Sequence, residues 1–256
     1  MSVNTALRIA VSGADGRMGR EVRRLVEAAP DLTVAAALER ADHPEAGSTF
    51  EADTAAGLAR ADVLIDFTLG AVAPALFRAA ARAGTAVVSG TTGLDDAGEL
   101  ALADAAQRIP VVWAPNMSLG VNLLLAVAEQ VAAALPASYE AELVELHHRH
   151  KRDAPSGTAL GLLRAIRAAR PAGADVFGRH GDQKPRAEDE VGVHAVRGGE
   201  VVGEHRLYFL GEYERLELCH IAQSRAAFAQ GAVQAARWVV GRPPGRYHMR
   251  HVLGLE

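Results

Sequence analysis

Cysteine is almost missing: Cys219 is the single thiol in 256 residues, so no internal disulfide can form. It lies in an alternating segment with no activating partner nearby in sequence and reads as a small strand residue. Excess positive charge is missing too. The formal net charge is −4, which gives no basic field to draw the chain onto nucleic acid or an anionic membrane. A long uninterrupted apolar run is absent, because Leu119 to Leu135 is broken by Glu129 and Gln130 and does not read as a membrane span. The opening "MSVNTALRIAVSG" lacks a charged segment followed by a long apolar one, so no secretory leader is expected. A reducing cytoplasm fits these absences. What remains, 49% hydrophobic and 23% charged residues, is the composition of a soluble globular protein.

Up to about residue 115, short β-rich runs alternate with Ala-rich helical stretches. Strands are expected at Leu7 to Gly13, Thr33 to Leu38, Asp62 to Thr68, Thr85 to Gly90 and Ile109 to Pro115. Helices are expected from Arg17 to about Ala29, through Leu76 and Arg82, and from Asp95 to Gln107. Near-continuous Val/Ile/Leu strands separated by helices are what a parallel sheet buried on both faces requires. Right-handed crossovers then give an α/β, Rossmann-like doubly wound sheet.

After Asn116 the pattern changes. A helix from about Leu119 to Ala134 leads to an alternating strand, Tyr139 to His148, and a second helix opens at Ser156. A polar stretch, Pro171 to Glu190, precedes three strand-like runs with no helix between them. These predict a second α+β domain with a mainly antiparallel or mixed sheet, one face packed and one free. A last helix spans Arg225 to Val240. The expected division is a dinucleotide-binding domain of residues 1–117 and 226–256 around a substrate-binding and oligomerisation domain of residues 118–225.

"GADGRMG" sets Gly13, Gly16 and Gly19 after the first strand and at the start of a helix. These glycines permit a tight turn, backbone approach to a pyrophosphate and close helix-to-strand packing. The helix N-terminus offers that anion free N–H groups and a favourable dipole. Glu39 ends the second strand, where a carboxylate would bond the adenosine ribose hydroxyls. Arg40 follows it and Arg17 lies in the loop; either guanidinium can pair with a 2′-phosphate, so both NADH and NADPH are expected to be usable. Arg40 as a plain surface charge is the other reading. Further candidate contacts sit at the ends of later strands, at Phe67-Thr68, at Gly90 to Gly93 and at Ala114 to Ser118.

The densest chemical signal is "HHRHKRDAPSGTAL". His147, His148, Arg149, His150 and Lys151 end a strand; Pro155 forces a turn, and Ser156-Gly157-Thr158 open a helix. Ser156 or Asp153 can cap that helix, leaving amides near Gly157 and Thr158 to hold a carboxylate or phosphate. Cations before an anion-binding helix start suit a substrate with two carboxylates, and histidine and lysine can also deliver a proton. A zinc site at His147, His148 and His150 has the residue types but wrong spacing, since adjacent strand residues point to opposite faces. A nucleic-acid patch would want interleaved aromatics, and a solvated basic turn is the third alternative.

Together these segments resemble the 4-hydroxy-tetrahydrodipicolinate reductase (dihydrodipicolinate reductase) family. "SGADGRMGR", "ALER", "IDFT", "GTTG", "APNMSLGVN", "ELHHRHKRDAPSGTAL", "VRGGEVVGEH", "ERLELCHIAQSR" and "MRHVLGL" occur in the family's order. The resemblance implies reduction of a cyclic dicarboxylate by NADH or NADPH with loss of water, in lysine and diaminopimelate biosynthesis. It implies that His147 and Lys151 are proton donors, that His148, Ser156, Gly157 and Thr158 bind substrate, and that no metal is needed. The cofactor positions it implies are Gly13, Ala14, Asp15, Gly16, Arg17, Met18, Glu39, Arg40, Gly90, Thr91, Thr92, Ala114, Pro115, Asn116 and Met117, with Phe67 added from its place at a strand end. It further implies a homotetramer joined through the sheets of the second domain, with the last helix and tail returning to the first. Another carboxylate-binding Rossmann oxidoreductase, such as a diaminopimelate dehydrogenase, and a non-catalytic redox sensor are the rival readings.

Overall fold

A computed structural model describes residues 6–52, 54–181 and 184–255. Part of the opening segment read above for a leader, residues 1–5, lies outside the described residues, as do positions 182 and 183 of the polar stretch. The chain divides into two compact units, residues 1–119 with 225–256, and residues 120–224.

In the first unit, β1 (Leu7–Ser12), β2 (Leu32–Leu38), β3 (Val63–Asp66), β4 (Ala86–Ser89), β5 (Pro110–Trp113) and β11 (Gly245–Tyr247) form one sheet in the order β11-β5-β4-β3-β1-β2. Every pairing in it is parallel. Both faces are covered, which is why β3 and β4 are buried along their whole length. One face packs against α1 (Arg17–Glu27), α7 (Ala226–Val239) and α8 (Met249–Leu253) through Val22, Val26, Ala232, Val233, Ala236 and Met249. The other packs against α2 (Thr54–Ala59), α3 (Ala73–Ala83) and α4 (Asp96–Ala106) through Leu58, Leu76, Phe77 and Leu102. The ends of α3 and α4 follow local chemistry. Pro74 opens α3, Gly84 closes it in the left-handed region, and Asp95 caps α4 by accepting from Gly98 N at 2.8 Å.

The second unit packs α5 (Leu119–Ala134) and α6 (Gly157–Ala169) on one face of a five-stranded sheet. Its strands are β6 (Glu140–His147), β7 (Asp175–Phe177), β8 (Val191–Arg197), β9 (Gly203–Leu210) and β10 (Arg215–Ala222), ordered β10-β9-β6-β8-β7. The sheet is mixed: β10/β9 and β9/β6 are antiparallel, β6/β8 and β8/β7 parallel. Of the two arrangements expected from the three helix-free runs, mainly antiparallel or mixed, the mixed one is found. The reason is α6, which with the polar stretch supplies a connection long enough to bring β8 back parallel to β6. Burial along β6 alternates strictly, with Ala141, Leu143, Glu145 and His147 facing the helices. On the opposite face Val196, Cys219 and Ile221 are exposed. No helix among the described residues is long and apolar enough to cross a membrane.

Candidate active site

In the first unit the candidate cofactor residues gather at the carboxyl ends of the parallel strands. Gly13 turns the chain with φ +66°, and a Cβ on Gly19 would lie 2.1 Å from Gly13 O, so the third glycine sets how closely α1 approaches β1. Gly16 occupies the N-cap without a side-chain acceptor, which leaves the first amides of α1 open to an anion. Glu39 is drawn to this loop: its Oε1 accepts from Asp15 N at 2.9 Å. Asp15 pairs with Arg20 at 3.1 Å and lies 3.5 Å from His43 Nε2. Arg20 and then His43 hold its carboxyl below the ordinary value, against a small opposing effect of burial.

The loops after β3 and β4 are organised by a residue that sequence reasoning passed over. Asp66 is fully buried; its Oδ1 accepts from Thr68 N (2.9 Å) and Thr68 Oγ1 (2.7 Å), and its Oδ2 from Ser89 Oγ (2.8 Å) and Thr91 Oγ1 (2.9 Å). Phe67 lies against Gly90, and Trp113 Nε1 donates to Thr91 O at 3.0 Å. Ala14, Thr91, Ala114 and Met117 have buried side chains, so they shape the loops and leave backbone for contact. Met18, Gly90 and Asn116 are half-buried, and Gly16, Arg17, Thr92 and Pro115 are exposed. Arg40 is not drawn to Glu39; its guanidinium is 74% exposed and pairs with Asp42 at 3.0 Å.

The second unit holds a denser constellation. Ser156 caps α6, its Oγ accepting from Ala159 N at 3.1 Å, and the same hydroxyl lies 3.3 Å from His205 Nε2. With that hydroxyl engaged, the helix start can be approached at Gly157, which is exposed and has nothing within 4 Å of where a Cβ would be. His147 is buried at the end of β6, and its Nδ1 donates to Glu145 Oε2, the carboxylate being acceptor only. Lys151 pairs with Asp153 at 3.0 Å. His148 is half-buried beside His150, their ring centroids 6.1 Å apart.

Three further residues of this cluster were not singled out from sequence. Glu145 is 0% exposed, and Arg197 grips both its oxygens, at 2.9 and 2.7 Å. His205 is buried edge-on to His147, with ring centroids 5.3 Å apart. The sequence signal for Glu145 was its place two residues before His147, which puts both on one face of a strand. Arg197 and His205 sit opposite His147 and Glu145 in the pairings β6/β8 and β6/β9, which no single-sequence pattern announces.

These environments make acid weaken the second unit in two stages. Burial, reinforced by His147 and opposed by Glu145, pushes His205 down to about 4 from 6.5. The unfolded chain therefore takes up a proton that the folded chain refuses, and stability falls as pH drops from about 6.5 to about 4. Burial pushes the carboxyls of Glu142 and Glu145 up, but their cationic partners outweigh it, Arg179, His194 and Arg186 for the first and His147 and Arg197 for the second. Both are held at about 2, so their contribution is complete above about 4.5 and is lost as pH falls toward 2. His205→Gln is expected to flatten the first stage and leave the second, read from urea midpoints across that range. An unchanged first stage would show that another group carries it.

The comparisons with known proteins agree with this architecture. Residues 7–117 match the family model "Dihydrodipicolinate reductase, N-terminus", and residues 120–253 match its C-terminal counterpart. A 4-hydroxy-tetrahydrodipicolinate reductase of Thiobacillus denitrificans is 47% identical over 268 aligned positions, covering 98% of this chain and 100% of the relative. One from Granulibacter bethesdensis is 47% identical over 263, covering all of both chains. The solved dipicolinate-bound dihydrodipicolinate reductase of Paenisporosarcina sp. TG-14 shares the fold, with a TM-score of 0.79 and 22% identity over 95% of this chain and 98% of that one. Matched end to end by both family models and by relatives of this identity, the chain belongs to the dihydrodipicolinate reductase family, the NAD(P)H-dependent 4-hydroxy-tetrahydrodipicolinate reductases of lysine and diaminopimelate biosynthesis.

Proposed function

We propose that residues 120–224 bind the cyclic dicarboxylate and protonate it, and that residues 6–119 with 225–255 hold the dinucleotide. The observation that carries this reading is that one buried carboxylate, Glu145, touches both the imidazole of His147 and, at 3.0 Å, the amide of Ser156 that opens α6. A proton donor and an anion-binding helix start are thereby held in one rigid piece. Gly157 N–H and the Thr158 amide and hydroxyl receive a substrate carboxylate, and His148 lends a further polar contact. His147 and Lys151 supply the proton that the reduced product gains, and a water leaves in the same overall conversion.

The first unit fits a nicotinamide dinucleotide. Open amides at the start of α1, a glycine turn and the Glu39 carboxylate are the donors and acceptor that a pyrophosphate and a ribose require. When bound, that cofactor supplies the hydride. Glu39 favours the free ribose hydroxyls of NADH, whereas the exposed guanidiniums of Arg17 and Arg40 are placed to meet the extra phosphate of NADPH. Both cofactors are expected to serve, with KM values within about a hundredfold of each other. The test is oxidation of each cofactor, followed by absorbance, with substrate generated in situ from pyruvate and aspartate semialdehyde. No oxidation with either would overturn the function, and a wider gap in KM would overturn only the dual use. We place the reaction in the cytoplasm, and assign the homotetramer to the sheet face that exposes Val196 and Ile221.

A further inference from the structure

We propose that Glu145 is a positioning residue for the reaction, a buried carboxylate that fixes the orientation and tautomer of His147 and the place of the α6 start together. The inference rests on the functional reading above, in which His147 gives the proton. Each oxygen of Glu145 has two partners. Oε2 takes His147 Nδ1 and Arg197 Nη1, and Oε1 takes Ser156 N and Arg197 Nη2. Arg197 Nη2 also donates to Asp153 O at 2.6 Å, tying the turn before α6 into the same set of bonds.

A carboxylate accepts only, so Nδ1 must carry a proton and Nε2 is left as the atom that exchanges one. Nε2 is not covered by a side chain on β9, because residue 203 is glycine; a Cβ there would stand 3.0 Å from it. The other charged or titratable groups facing this pair are Arg197 from β8, His205 from β9, His220 from β10 and Lys151 from the turn after β6. Arg197, bound in a fork, balances the buried charge of Glu145 without displacing the imidazole.

Glu145→Gln keeps the size of the side chain and removes its charge. We expect kcat to fall about tenfold to a hundredfold, the loss usual for a residue that orients an active histidine. KM for substrate is expected to rise as the α6 start loosens, and the Kd for NADH to stay unchanged. In a His147→Ala background the same substitution should cost kcat little further, since that part of its effect passes through the ring, while KM for substrate should still rise through the loosened α6 start. Glu145→Asp keeps the charge but is too short to span both partners, so it should show an intermediate kcat. Wild-type kcat in Glu145→Gln would overturn the proposal, as would an equal loss of kcat in both backgrounds. Should glutamine at 145 prevent folding, Glu145→Asp decides, and undiminished turnover there overturns it. His147→Ala separates the two readings. If it leaves turnover intact the functional reading falls, whereas loss there with none at Glu145 sinks the positioning role alone.

Discussion

Alanine at His147 or at Lys151 lowers kcat by about 10²- to 10⁴-fold, the range for removing a positioned proton donor. The Kd for NADH should hardly move, because the glycine loop and Glu39 that would hold it belong to the other unit. Lys151→Arg separates charge from chemistry. The guanidinium keeps the attraction for a substrate carboxylate and the pairing with Asp153, so KM for substrate should stay near wild type. It does not give up its proton at any ordinary pH, so kcat should remain as low as in the alanine variant. Steady-state kinetics with the substrate made in situ, beside cofactor titrations by fluorescence, read both quantities. Unchanged kcat in both alanine variants removes these residues from the chemistry. Full activity in Lys151→Arg leaves the lysine only an electrostatic part.

Asp66→Ala is expected to cost about 2–5 kcal/mol of stability, since each buried polar group left without its partner costs about 1–3 kcal/mol. Its four short bonds join the ends of β3 and β4, and removing the carboxylate leaves the buried Ser89 hydroxyl and the half-buried Thr68 N without this acceptor. Thr91 Oγ1 has an alternative acceptor in Thr68 O at 3.3 Å and should recover part of its loss. Because the same bonds pin the loops bearing Phe67, Gly90 and Thr91, cofactor affinity should fall with stability. Asp66→Asn tests the role of acceptor: its amide nitrogen must face at least one of these donors. Urea unfolding and cofactor titration measure the two effects. A loss under about 1 kcal/mol in the alanine variant would mean that the loops hold themselves.

Much of this was legible in the sequence because it is written in local patterns. Unbroken Val/Ile/Leu runs ending in glycine give buried parallel strands, and α5 was read to the residue, Leu119–Ala134. The nearness of Glu39 to "GADGRMG" follows from the spacing of a strand-turn-helix unit, and Glu39 Oε1 accepts from Asp15 N in that loop. The reading fell short where structure depends on pairing at long range. Three short elements, α2, β7 and β11, carry too few apolar residues to show a period, and only their neighbours hold them in place. Asp66 ends an apolar strand and Glu145 is one of three glutamates in β6, so neither stands out, and their partners Ser89, Thr91, Arg197 and Ser156 lie at least eleven residues away.

The edge position of β11 carries a consequence for how the polypeptide acquires its shape during synthesis. The edge strand of the six-stranded sheet, and α7, which helps to cover one of its faces, are made only after the whole of the second unit. A nascent chain ending near residue 119 holds β5 with one side unpaired and the apolar surface meant for α7 still wet, a template for pairing with other chains. The intervening unit, continuous in sequence, is complete before that debt is settled, so a ribosome releases a finished inner module ahead of its outer one.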